Sequence, residues 1–247
     1  MIEVRSPEEI ENIRRAGKIV HDALAALSKN AKPGMTTLEL DAIAESVITG
    51  GKARPAFKGY RGYPRSICTS VNNSVVHEIP SKERVLEDGD IVSFDVGAEW
   101  QGYYADAAVT VGVGTVSESA IKLMEVTRAA LKLGIEQACE GKRISDISHA
   151  VQTHVEANGF SVVRYFVGHG IGRQLHEEPE IPNFGRPNQG VRLKSGMVLA
   201  IEPMVNEGGH DITILDDGWT AVTRDGCLSA HFEDTVVVTK NSAEILT

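Results

Sequence analysis

Cysteine is scarce in this chain of 247 residues. There are three, Cys68, Cys139 and Cys227, and no two form a CxxC pair. A disulfide framework is excluded, and the count suits a reducing compartment. Positive charge is also short: 25 Lys and Arg stand against 34 Asp and Glu, a formal net charge of -9. That excludes a chain built to grip phosphate backbones, although it leaves room for a small basic patch. No apolar run reaches the length of a membrane span. The opening MIEVRSPEEIENIRRAGK carries acidic residues early and no apolar h-region follows, so the expected address is the cytosol. What the chain does have is apolar content, 42%, enough to bury a substantial core in one large domain or two fused half-domains.

Helix signals are local and strong. Ser6, Pro7 and Glu9 have the spacing of a capping box ahead of an apolar stripe through Ile10, Ile13, Val20, Leu24 and Leu27. Further helices are predicted over 37–48, 118–138 and 145–157. Runs rich in branched residues at 65–71, 91–96, 105–113, 198–201 and 235–239 read as strands. The pattern is α+β with hairpins. A weak internal repeat links DGDIVSFD (88–95) to SGMVLAIE (195–202), each with a carboxylate six residues after a glycine. The offset, 107, also places Gly34 on Gly141 and Glu39 on Asp146. The expectation is a single catalytic domain over 1–247 made of related halves, roughly 1–115 and 116–247.

Carboxylates at the ends of apolar strands carry the chemistry. A hairpin centred on residues 100–101 sets Asp95 opposite Asp106, and two carboxylates that close repel unless a proton or cation lies between them. Either a metal holds them or both face water at a hairpin rim. Glu202 follows Val198–Ile201, and Glu233 precedes another apolar strand; each is costly to bury unless paired or metal-bound. His169 sits among Gly168, Gly170 and Gly172, where backbone can approach a ligand closely. His176 follows seven residues later, without HExxH spacing. Packing accounts for any one of these residues taken singly. Together they form an oxygen-rich set suited to a pair of first-row divalent ions that activate water for hydrolysis. His154 extends a helical stripe and reads as a core or boundary residue, while His21 and His149 read as surface.

Six segments, among them GYRGYPRSICTSVNNSVVHEIP, LEDGDIVSFDVGAEWQGYYADAAVT, VGHGIGRQLHEEP, LKSGMVLAIEPM and DGWTAVTRDGCLSAHFEDTVVVT, occur in an order that resembles the bacterial type I methionine aminopeptidases in their short form. The resemblance covers essentially the whole chain. It implies the pita-bread fold, in which two α+β halves close on a dinuclear metal site, and removal of the initiator methionine from nascent polypeptides when the second residue is small. It implies Asp95, Asp106, His169, Glu202 and Glu233 as ligands to two ions (Mn, Fe, Co or Zn), with Glu202 also the general base. His77 and His176 become substrate-contacting catalytic residues. Phe57, Tyr60, Tyr63, Cys68, Leu175 and Trp219 become the methionine pocket. It further implies a cytoplasmic monomer that meets the ribosome transiently, with no sequence-specific nucleic acid and no membrane partner.

Four positions depart from the commonest pattern of that family: Phe57 for cysteine, Leu175 for phenylalanine, Glu78 for glycine and His231 for glutamine. A left-handed backbone at residue 78 would strain Glu78, and its charge would raise the pKa of His77. The competing readings are an X-Pro aminopeptidase, for whose extra N-terminal domain 247 residues leave no room, and a catalytically dead scaffold of the same fold, whose ligands would be missing.

Overall fold

The computed structural model describes residues 2–247. Four long helices, α1 (Pro7–Asn30), α2 (Thr37–Gly50), α3 (Glu118–Gln137) and α4 (Ile144–Ala157), pack against a nine-stranded antiparallel sheet. The first two begin at capping boxes: Glu9 N donates to Ser6 Oγ at 3.3 Å and Ser6 N to Glu9 Oε2 at 3.0 Å, and Thr36 and Glu39 repeat the exchange at 3.2 and 2.8 Å. These bonds satisfy N–H groups that a helix start otherwise leaves free.

The sheet follows the order Arg54–Pro55, Ile91–Trp100, Tyr103–Gly112, Glu233–Val238, Val198–Ile201, Gly168–Gly170, Glu177–Ile181. Ile67–Val71 and Ala243–Ile245 join it off that path. Strand alternation sorts its residues. Val92, Phe94, Val96, Leu199, Ile201 and Val236 face the helices and are fully or almost fully buried. One apolar cluster gathers around α1 and α2, another around α3 and α4. The offset of 107 carries α2 onto α4 and the start of strand Ile91–Trp100 onto the start of Val198–Ile201. It also relates the isolated bridges Thr36–Val85 and Arg143–Arg192.

The hairpin Ile91–Gly112 is shifted by two residues from the expected register. Its turn is Gln101-Gly102, both at positive φ (51° and 82°), with Trp100 opposite Tyr103. A two-residue hairpin loop of this hand requires positive φ at both positions, and glycine at the second takes it without strain. Asp95 therefore lies opposite Ala108, and Asp106 opposite Gly97. The shift is even, so both aspartates keep the same face and become diagonal rather than direct neighbours.

Candidate metal centre

Register alone brings the carboxylates together. Glu233 pairs with Ala108, on the face that holds Asp95 and Asp106. The pairing of Asp234 with Ile201 sets Glu202, one residue further, across from Glu233. His169 lies opposite Ala200, on the same face again. Four side chains on four strands, and Glu202 just past the end of a fifth, thus converge on the side of the sheet away from the helices.

Their spacing differs from a hydrogen-bonded network. His169 Nε2 stands 3.6 Å from Asp106 Oδ2 and 3.6 Å from Glu202 Oε1, too long for either to be a good hydrogen bond. One ligand atom from each of Asp106, His169 and Glu233 lies within 4.8 Å of the others. Atoms that share an ion at about 2.1 Å stand roughly 3–3.5 Å apart, close to what is seen here. Asp95 Oδ1 is buried without a partner. His169 Nδ1 lies 2.9 Å from the Gly170 carbonyl, which places its proton there and leaves the Nε2 lone pair free for a metal. Thr235 Oγ1 donates to Asp106 Oδ1 at 3.1 Å and holds that side chain; sequence reasoning passed over Thr235.

Charge makes the same case. Burial, then repulsion from Asp106, pushes the Asp95 carboxyl well above the usual range. Burial and neighbouring carboxylates do the same to Glu202 and Glu233. Asp106 is pushed up to about 7, chiefly by burial. His169 is pulled down to about 4 by burial and is neutral at physiological pH. Four mutually repelling acids around one neutral imidazole fit a site that takes divalent cations.

Every residue expected as a metal ligand, a catalytic histidine or a wall of the methionine pocket lines one cavity, and Arg61, not singled out, joins them; Glu78 and His231 do not line it. Tyr63, Cys68 and Leu175 are buried in its walls. Tyr63 meets Trp219 edge-on at 5.0 Å between ring centroids. The Phe57 ring fills the space that a Cβ at Gly97 would need, its Cε1 only 2.6 Å from that position. An aromatic side chain at 57 thus depends on glycine at 97. At the mouth, His176 Nδ1 lies 2.9 Å from the Tyr60 hydroxyl, and its ring stands 4.3 Å from that of His169.

The glycines flanking His169 have a different purpose from the one expected. A Cβ on Gly168 would lie 2.5 Å from the Ala200 carbonyl oxygen, and one on Gly170 would lie 2.3 Å from that of Glu178. They allow neighbouring strands to close on His169 rather than a ligand to approach it.

Glu78 also departs from expectation. The left-handed residue is His77 itself (φ 63°), and Glu78 turns away from it. Glu78 Oε2 accepts a bond from Val71 N at 2.8 Å, and Oε1 lies 3.4 Å from Arg84 Nε. The pKa of His77 is lowered to about 4, by burial and then by His176, instead of raised by Glu78. Glu78→Gly is therefore expected to lower the thermal midpoint by roughly 4–8 °C, from a loss of roughly 2 kcal/mol in hydrogen bonding and backbone restriction. The pH profile of activity should superimpose on that of the unchanged protein. A displaced acid limb with an unchanged midpoint would show that Glu78 acts on His77 by charge after all.

His154 is half-buried at a helix boundary, and His21 and His149 are exposed, as read from the sequence. No described helix is long and apolar enough to cross a membrane.

Comparison with known proteins gives one consistent picture. Residues 11–240 match metallopeptidase family M24. A methionine aminopeptidase of Clostridium perfringens is 55% identical over 100% of this chain and 99% of its own. Methionine aminopeptidase 1 of Bacillus subtilis is 52% identical over the same shares. The crystal structure of methionine aminopeptidase from Thermotoga maritima superimposes with a TM-score of 0.99 at 50% identity, covering 100% of this chain and 99% of that one.

Proposed function

The chain belongs to metallopeptidase family M24, and we propose that it removes N-terminal methionine through a dinuclear centre on the helix-free face of its sheet. The observation that carries this reading is the convergence of four carboxylates, Asp106 and Glu233 buried and Asp95 and Glu202 half-buried, with a neutral His169 in an aromatic-walled cavity. Asp95 would hold one ion, His169 and Glu202 the other, and Asp106 and Glu233 both. Bound divalent ions of this kind supply Lewis acidity and a water that is nucleophilic near neutral pH. Which of Mn, Fe, Co or Zn serves is left to availability at a site of such hard donors.

The protein's own groups do the rest. Phe57, Tyr60, Tyr63, Cys68, Leu175 and Trp219 enclose an unbranched thioether, which adapts to irregular apolar walls. Glu202 takes the proton released by the attacking water and returns it to the leaving amine. His176 Nδ1 lies 2.9 Å from the Tyr60 hydroxyl; with that hydroxyl as donor, the imidazole carries its proton on Nε2, where it can donate to the substrate carbonyl as negative charge develops there. His176→Ala is expected to lower kcat by about 10–10³-fold. An unchanged kcat in the folded variant would remove His176 from the reaction. His77, held near neutral imidazole, contacts the amide on the leaving side.

The discriminating experiment is cleavage of Met-Ala-Ser against Leu-Ala-Ser and Met-Phe-Ser. Methionine at the first position and Ala, Gly, Ser, Pro, Thr, Cys or Val at the second should be favoured. Comparable kcat/KM for all three peptides would contradict the reading. The cellular setting that fits is a cytoplasmic monomer acting on nascent chains in transient contact with the ribosome.

Metal binding should carry a proton signature. Burial pushes the Asp106 carboxyl up to about 7, whereas it pulls His169 down to about 4 and keeps it neutral. An incoming cation must displace the carboxyl proton, and that displacement becomes costlier as pH falls. Mn(II) affinity measured by calorimetry is expected to weaken at least about tenfold from pH 8 to pH 6. Constant affinity across that interval would mean that these carboxylates are already ionised.

A further inference from the structure

We infer that His231 is a positioning residue for Glu202: its Nε2–H holds Glu202 Oε2 and thereby directs the rest of that carboxylate toward the metal cluster. The inference rests on the reading of Glu202 as ligand and base. Its starting point is an unpaired atom. His231 is 1% exposed, and its Nε2 has no hydrogen-bond partner. A buried imidazole nitrogen left in that state is costly, and native structures seldom keep one without a purpose.

The backbone of His231 is firmly fixed. His231 N donates to Thr110 Oγ1 at 2.9 Å, the Thr110 hydroxyl donates to the His231 carbonyl at 2.8 Å, and His231 pairs with Met204 in a three-stranded sheet. From this anchor the ring places Nε2 3.8 Å from Glu202 Oε2, while His169 Nε2 stands 3.6 Å from the other oxygen, Oε1. The two oxygens thus face two different imidazoles. His169 Nε2 carries a lone pair and faces the carboxylate cluster, so Oε1 is the oxygen that would meet an ion held beside it. Oε2 then remains for His231, and a side-chain rotation closing about 1 Å completes a normal bond. A carboxylate oxygen has two lone pairs, so Oε2 can accept from His231 and still receive a proton from water. Outer donors of this kind orient ligands and tune the metals they hold.

The test compares H231L, which fills space without donating, with H231Q, whose amide N–H can donate in the same place. In H231L the Mn(II) dissociation constant, read by calorimetry on metal-free protein, should rise about 10–100-fold. Its kcat at saturating metal should fall about 10-fold or more, with KM for Met-Ala-Ser within about threefold of the original. H231Q should recover most of both losses. A merely structural role would not be rescued by a donor of different shape. In wild-type protein loaded with diamagnetic Zn(II), proton NMR should show a slowly exchanging imidazole N–H that is missing from H231Q, which keeps the question decidable if H231L fails to fold. Absence of that resonance, or an H231L protein with unaltered affinity and kcat, or an H231Q protein as impaired as H231L, would overturn the inference. Failure of the wild-type protein itself to bind Mn(II) would instead overturn the metal reading on which it rests.

Discussion

Glu202→Gln is expected to lower kcat for Met-Ala-Ser by at least about 10²-fold. The amide keeps the shape of the side chain, and the Glu202 carbonyl stays bonded to Asn183 Nδ2 at 3.0 Å, so the fold around it should persist. What disappears is a negative charge that faces His169 and a base for the proton of the attacking water. Metal content measured alongside turnover separates these two losses. A variant that holds two ions and is still slow has lost the base; one that holds fewer has lost a ligand. Near-normal turnover in metal-replete E202Q would assign the proton transfer to another residue.

Exhaustive chelation should abolish cleavage altogether, and Mn, Co or Fe should restore it. Among the described residues no Lys or Arg forms an ion pair with Asp95, Asp106, Glu202 or Glu233; burial raises all four pKa values, and neighbouring carboxylates add to the rise at Asp95, Glu202 and Glu233. No side chain in the cavity has the setting of an alternative nucleophile: burial pushes the Cys68 thiol up, and neighbouring Asp95 adds to the effect. Ion binding to the folded state alone also stabilises it, by about 2.7 kcal/mol at 100 times the dissociation constant, or about 5–10 °C in thermal midpoint for a chain of this size. Full activity in rigorously metal-free protein would end the hydrolytic mechanism proposed here. An unshifted midpoint on metal addition would mean that the folded protein does not bind the ions in preference to the unfolded chain.

How much of this could be read from the amino acids alone depended on how local each signal was. The capping boxes at Ser6 and Thr36 are decided within four residues, and the helices began where those residues indicated. That these side chains would share one cavity was legible because the motif order is specific and the offset of 107 pairs Asp95 with Glu202. The register of the first hairpin was not read correctly. Centring the turn on 100–101 gave weight to a direct Asp95–Asp106 pair, when Gly102, the residue able to take positive φ freely, marked the true turn. The strand carrying His169 was hidden because three of its surrounding residues are glycines, which carry no strand pattern. The direction of Glu78 depended on the left-handed backbone at His77, a tertiary choice that residue types do not announce. The unpaired nitrogen of His231 likewise becomes visible only once a second strand pair has fixed its backbone.

The order of the central strands has a consequence for biosynthesis. Glu233–Val238 sits between Tyr103–Gly112 and Val198–Ile201 and follows both in the chain, so the middle of the sheet is synthesised after the strands on either side of it. Until it emerges, those two older strands keep open edges, which invite pairing with other chains. The site also lacks Glu233, one of its proposed bridging carboxylates. A chain that has not yet reached Glu233 therefore has an incomplete site under the proposed ligand assignment. Pairing of that strand with both neighbours removes the exposed edges and, in the same step, sets Glu233 opposite Ala108 on the face that holds Asp95 and Asp106.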